Sequence, residues 1–506
     1  MSSALARPLT VCARLHASAE AHPDRVALEV GRERSTYAAL SLAGRALAAT
    51  LQLLPRRPCT RTLVVLARAG QSGVRALVGG WLAGLAVAPI SCDIPAEQLA
   101  HAIRASSPTA VFVDGASRSL ISALLPLLPA GLPVILLDAA EARTLRGLGG
   151  RTPVLVVDRR AVADWRPVAV RPAAVAAHLW DLDRDGGHWV ARTHAALLDD
   201  VERHAVWQGI HGGDRVSHLH PLDSIRGLID LLLPWSMGGV ACAPGIEDRI
   251  GVWLRASRLS VLRLTPTRLR AMEAAGALVP AILSTVRVVS LEGEGHRGAD
   301  VATLRGALPE AVVDSIYGRV EVGSSVFVHR IQPGPRPEAD AVTPLGRPFP
   351  GVRIAVVDAD GRPVAEGTAG RLVVRGPAGE AVVTTDGVQV VDGGNLRHLG
   401  SSDDRIQLRG RRISLDAIGG VVAGVVQAPV VVVGWPLSAP GSALGLVAFI
   451  QTGHVDAAEV TRSASALLPR GLVPTELLAV PGLPFRADGG PDRRRLTRFL
   501  AGRGFS

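Results

Sequence analysis

The sequence predicts an α/β fold in two parts. A large N-terminal unit of layered sheets and helices precedes a small α+β unit. Three observations point there. First, the hydrophobic fraction is 48% but aromatics make up only 3%. Ala, Val, Leu and Gly must then fill the interior, which suits many small helix–sheet contacts. Second, the apolar runs 111–114 and 134–138 show no alternation before each ends in Asp. Strands buried on both faces read this way, so parallel pairing is expected. Third, the texture changes near 401–404, and about a hundred residues of mixed α and β pattern follow, a normal domain size.

The elements follow in order. Residues 24–49 read as strand, turn and helix. Residues 62–106 alternate apolar strands with a helix whose pattern is GGWLAGLAVAPI. The stretch 343–376 reads as antiparallel strands, with Asp360-Gly361 as a hairpin turn. Beyond 404 come a strand (405–408), a helix from Ser414, strands at 430–433 and 443–450, and a helix over 456–468. The uncharged segment 417–435 is interrupted by Gly419, Gly420, Gln427 and Pro429. It predicts a helix followed by a buried strand, not a membrane span. The Pro- and Gly-rich stretches 333–337 and 439–442 are expected to be surface loops.

Composition excludes several classes. The net charge is +10, and none of the 55 basic residues is lysine. The arginines are scattered except at 493–495, with no basic and aromatic interleaving, so no nucleic-acid partner is expected. A basic surface attracts acidic partners such as carrier proteins or CoA. Cys12, Cys59, Cys92 and Cys242 fit neither zinc nor redox spacing. No metal centre is expected, and a reducing cytoplasm is. Arg7 and Arg14 break any apolar N-terminal stretch, which argues against a secretory signal.

Several segments, taken together and in order, resemble the adenylate-forming superfamily of acyl-CoA synthetases, nonribosomal peptide adenylation domains and luciferase. They are HPDRVALEVGRERSTYAAL, VGGWLAGLAVAPISCDIPAEQLAHAI, DSIYGRVEVG, LGRPFPGVRIAVVDADGRPV, GRLVVRGP, HLGSSDDRIQLRGRRIS and LPFRADGGPDRRRL. The resemblance implies a large domain at 1–402 and a small mobile domain at 403–506, hinged at Asp403, with the active site between them. It also implies a chemistry: a carboxylate joins the α-phosphate of ATP, and the acyl group then passes to a nucleophile. Ala83 sits where a family lysine is common.

Each working part of that family can be placed on this chain. The phosphate loop corresponds to Trp180–Val190, WDLDRDGGHWV. Asp183, Arg184 and Asp185 replace its hydroxyl and glycine core, and His188 replaces its lysine. At roughly 5 Å and an effective dielectric of 20, each carboxylate–phosphate charge pair costs about 3 kcal/mol. The family's Y-G-x-T-E appears as Tyr317-Gly318-Arg319-Val320-Glu321. There the tyrosine lies near adenine and the glutamate helps to hold magnesium; the threonine hydroxyl is lost at Val320. Glu294 falls in the adenine-side loop, Glu292 to Gly295. Asp386 matches the ribose-binding aspartate, and Ser401 stands where an arginine touches ribose or phosphate. Gly490 stands at the catalytic lysine. In the acyl pocket, Pro221 to Gly227 carries Asp223, Ser224 and Arg226. Asp223 and Arg226 face a polar substrate on one reading, and Asp223-Ser224 is a helix cap on the other. A Tyr-Gly turn is also kept for backbone reasons alone.

These replacements leave ATP and magnesium without their usual donors. The expectation is an ATP-independent enzyme of specialised metabolism acting on an acyl group linked to CoA or a carrier protein. His188 would be its general acid or base, oriented by Asp183 or Asp185. Two alternatives stay open: an ATP-dependent acyl or aminoacyl ligase with atypical motifs, and a non-catalytic scaffold.

Overall fold

The computed structural model describes residues 10–502, apart from 56–60, 67–69, 93, 114–117, 138–151, 182–187, 294, 340, 342, 377–380, 392–394, 402–403, 440 and 486–490. Two large sheets dominate. In the seven-stranded sheet the spatial order is Val154–Val156, Val134–Leu136, Ala110–Val113, Thr62–Leu66, Ala86–Ile90, Val175–Asp181 and His188–Thr193. All neighbours are parallel except the last pair. The nine-stranded sheet is parallel through its middle, from Val312–Arg319 across to Val26–Val30, with antiparallel strands at both edges.

The unbroken apolar runs explain why the parallel strands form. Val64, Val111, Phe112 and Ile135 are all fully buried. One core cluster joins both sheets through the helices Tyr37–Gln52, Gln71–Leu82 and Ile225–Trp235. Two of those helices approach so closely that a Cβ at Gly79 would lie 2.6 Å from Leu47. Small residues in the GGWLAGL pattern therefore set the helix spacing.

A third, antiparallel sheet holds Arg353–Val357, Ala369–Arg375, Ala381–Val391 and Asn395–Ser401. Gly361 takes φ +81° in the expected turn. The return strand, however, begins only at Ala369, because 362–368 pairs through a single bridge at Pro363.

Residues 405–500 build two smaller sheets with their own core around Leu408, Ile418, Val432 and Ala448. Helices start where the sequence placed caps: Ser414 accepts from Ala417 N, and Asp456 accepts from Ala458 and Glu459. The segment 417–435 is a helix and a strand, and no helix among the described residues is long and apolar enough to cross a membrane. One expectation fails. Ala439 and Ser442 do not lie in a surface loop: Ala439 ends one short strand, Ser442 begins the strand paired with it, and both are buried. The predicted strand over 443–450 is also split. Ser442–Ala443 joins one sheet and Leu446–Gln451 the other.

Candidate active site

The C-terminal ends of the central strands of the nine-stranded sheet meet the hairpin 405–414 across a cleft. Two cavities share a wall there, made of Arg226, Gly318, Arg319, Gln407 and Arg412. One cavity runs beside Tyr317, Thr343, Asp386 and His398. The other has an apolar body of Ile90, Ile94, Leu179, Trp180, Ile225 and Leu472.

The strand Val312–Arg319 turns back at 319–323 to become Gly323–Ile331. Gly318 is required for backbone reasons, since a Cβ there would lie 2.3 Å from the Ser324 carbonyl oxygen. The turn delivers Arg319 into the shared wall. Its Nη1 donates to Asp386 Oδ2 at 2.9 Å, and its Nη2 to Glu321 Oε1 at 2.8 Å. The Tyr317 hydroxyl donates to the same Asp386 oxygen. The other carboxylate oxygen faces His398 Nε2 at 3.6 Å and Arg412 Nη2 at 3.9 Å. Ser401 is the register partner of Asp386 across the strand pair.

Burial alone would raise the Asp386 carboxyl, but the His398 contact and the Arg319 and Arg412 charges outweigh it and hold it well below the usual range. Glu321 follows the same logic: burial raises it, and the Arg319 bonds bring it below its ordinary value. Burial, then the neighbouring Asp386, pushes the Tyr317 phenol well up. Both acids are ionised, and both are already matched within the protein. Burial pushes His296, on the same cavity, down to about 4, so it is neutral at pH 7.

On the apolar side, Ser224 is the N-cap of Ile225–Trp235, its hydroxyl accepting from Gly227 N at 3.0 Å. The capping reading holds for Ser224. Asp223, just before it, lines the cavity and accepts two bonds from Arg411 Nη2, at 3.0 and 3.2 Å. Arg226 is buried, lines both cavities and donates to Gly318 O at 3.2 Å. Below it, wholly buried Arg263 joins Asp230 at 2.7 Å and Glu292 at 2.8 Å.

His188 opens its strand as the direct partner of Asp181. Opposed side chains in an antiparallel pair leave on the same face. Asp181 lines the apolar cavity and binds Arg405 Nη1 at 2.7 Å. Burial raises the Asp181 carboxyl, and Arg405 and His188 offset part of the rise. The acid beside His188 among the described residues is therefore Asp181. Asp183, Arg184 and Asp185 lie outside the described residues, as do Glu294, Asp403 and Gly490. Val320 packs at the cavity wall and offers no hydroxyl. Trp180 and Trp189 stack edge to face at 4.9 Å, and Trp235 is in the core.

Sequence reasoning missed Arg319, Asp181, His398 and the hairpin arginines Arg405, Arg411 and Arg412. All of them lie inside segments that the motifs already cover. Arg319 fills the variable position between Gly318 and Val320, and Arg405, Arg411 and Arg412 fall inside HLGSSDDRIQLRGRRIS. Among the described residues no cluster of His, Cys, Asp and Glu could hold a metal ion.

The family model described as "AMP-binding enzyme" matches residues 15–175 and 189–382. The chain is 26% identical to phenyloxazoline synthase MbtB of Mycobacterium sp. (strain MCS) over 94% of its length, but spans only 41% of that protein. It is 25% identical to the L-proline–[L-prolyl-carrier protein] ligase of Pseudomonas fluorescens, covering 73% of this chain and 80% of the relative. The adenylation domain AlmE of Vibrio cholerae, solved with glycyl-adenosine-5'-phosphate, superposes with a TM-score of 0.83 at 21% identity, over 97% of both chains. The amide bond synthetase McbA of Marinactinospora thermotolerans gives 0.80 at 19%, over 97% of this chain and 99% of that one. At those identities the structural likeness shows the fold.

Proposed function

The chain belongs to the AMP-binding enzyme family, and we propose that it works on an acyl or aminoacyl thioester without adenylation by Mg-ATP. The observation that carries this reading is Arg319, which binds the Asp386 and Glu321 carboxylates together. Magnesium needs free carboxylate oxygens, and a ribose diol needs an acceptor with spare lone pairs. Here one guanidinium and one phenol take those positions, so the residues present do not fit Mg-ATP. The break in the family match over 176–188 supports the same reading, since it falls on the phosphate loop.

The other cavity suits the proposed substrate. Its apolar body accepts an acyl chain, Asp181 lines it, and His188 is the cross-strand partner of Asp181. The His188 imidazole takes a proton from the attacking water or amine and returns it to the departing thiolate, so thioester and nucleophile become acyl product and thiol. Carrier-protein ligation in the name of a relative, and the net charge of +10, make a carrier-linked thioester the favoured form. Thiol release from acyl- and aminoacyl-pantetheine, followed by mass spectrometry without nucleotide, tests this. Turnover in the wild type and its loss in His188→Ala are expected. Turnover unchanged in His188→Ala, or present only with Mg-ATP, would overturn the reading.

A second reading, an ATP-dependent ligase, is favoured by the open cavity beside Tyr317 and by the ligase names of the relatives. It requires Arg319 to leave both acids when nucleotide binds. Pyrophosphate exchange with a panel of carboxylates would reveal it.

A further inference from the structure

The hairpin 405–414 does more than line the cavities. Each of its three cleft-facing arginines engages a different element of the large unit. Arg405 binds Asp181 on the strand Val175–Asp181, Arg411 binds Asp223 ahead of the helix Ile225–Trp235, and Arg412 donates to Thr385 Oγ1 at 2.9 Å on the strand Ala381–Val391. The tip is seated as well. Arg409 and Gly410 take φ of 51° and 79°, and a Cβ on Gly410 would lie 2.9 Å from the Thr265 methyl. Beside the hairpin, Gly295 N donates to Ser442 Oγ at 3.0 Å, tying the adenine-side loop to the small unit.

We infer that these contacts form an ionic latch, which holds the 405–500 unit docked over both cavities before any ligand binds. The reach of three arginines to acceptors on three separate elements is what a rigid-body clamp requires. A single surface pair would contribute almost nothing, whereas these share one hairpin and flank one cleft. The two ion pairs differ in kind. Asp181 and Arg405 are 6% and 15% exposed and poorly screened, but burial raises the Asp181 carboxyl, so part of their attraction is spent on desolvation. Arg411 is 38% exposed against Asp223 at 14%, which makes it the salt-sensitive member. Opening the latch frees Asp223 and Asp181 at the mouth of the acyl cavity, so ligand entry and domain release are coupled. The inference stands on the contacts alone and does not depend on which reaction the cleft performs.

Amide hydrogen exchange on the full chain tests it, because the Gly295 amide bonds across the cleft and reports docking. Raising salt from about 0.1 M to about 1 M shortens the screening length from roughly 10 Å to roughly 3 Å. Exchange in the peptide containing Gly295 should quicken at least about fivefold over that range, while the core strand Val261–Leu264 stays unchanged. Asp223→Asn should show the quick exchange already at low salt, and the charge swap Asp223→Arg with Arg411→Asp should restore protection. Gly295 protection that is the same at both salt concentrations and in Asp223→Asn would overturn the latch. If a variant loosens the core strand too, the wild-type salt series decides alone.

Discussion

The two cavities share a wall but have diverged in opposite ways. On the nucleotide side the residue identities persist, since Tyr317, Glu321 and Asp386 all match the family. Arg319 nevertheless binds both carboxylates, and Tyr317 donates to the Asp386 oxygen that Arg319 holds. On the apolar side, Asp223 and Ser224 depart from the acyl-pocket pattern the chain resembles, yet the space remains open and apolar-walled. A retained residue type is therefore a poor witness to a retained role. What matters is which lone pairs and protons are still free, and only the neighbours decide that.

The largest expected effect bears directly on this contrast. Arg319→Ala leaves two largely buried carboxylates without their guanidinium, and should cost roughly 3 kcal/mol in urea unfolding. The same variant should bind nucleotide more tightly than the wild type. A stability loss under about 0.5 kcal/mol would show that the bridge contributes little. Next in size is Gly318→Ala. Its Cβ meets the Ser324 carbonyl, so about 1–3 kcal/mol of stability should go, along with the shape of both cavities. An unchanged melting curve would mean that Gly318 is not held by packing.

Smaller effects sharpen the acyl side. Ser224→Ala removes a side-chain cap and should cost about 1 kcal/mol without altering nucleotide binding. The smallest concerns pH. Burial lowers His296 from 6.5 to about 4, so its contribution is full above pH 6.5 and is lost as pH falls through 4. His296→Gln should make the acid limb of the stability–pH curve shallower. A steeper limb would mean that the ring is charged in the fold.

Much of the fold was legible because burial writes itself into composition. Runs such as Val111-Phe112-Val113 and 417–435 have only one comfortable place, and Ser414 and Asp456 cap the helices they precede. The segment 439–442 was not legible, because Gly and Pro signal a turn whether it is exposed or pinned under a neighbouring loop. In the site, Tyr317, Asp386 and Ser224 could be located from motif spacing and cap chemistry. Arg319, Asp181 and the hairpin arginines could not. Their partners lie 67, 224 and 188 residues away in sequence, and an arginine-rich, lysine-free chain offers many equivalent candidates. His188 was expected in the phosphate loop but opens the strand His188–Thr193, and the acid beside it is the cross-strand Asp181, which spacing along one segment does not reveal.

One titration tests the central claim most directly: calorimetry of the wild type and of Arg319→Ala with Mg-ATP and with AMP. The wild type is expected to give no heat at nucleotide concentrations up to about 1 mM, a binding free energy weaker than about −4 kcal/mol, and the variant to bind measurably. Micromolar binding of Mg-ATP to the wild type would contradict it and restore the chain to ATP-dependent ligation.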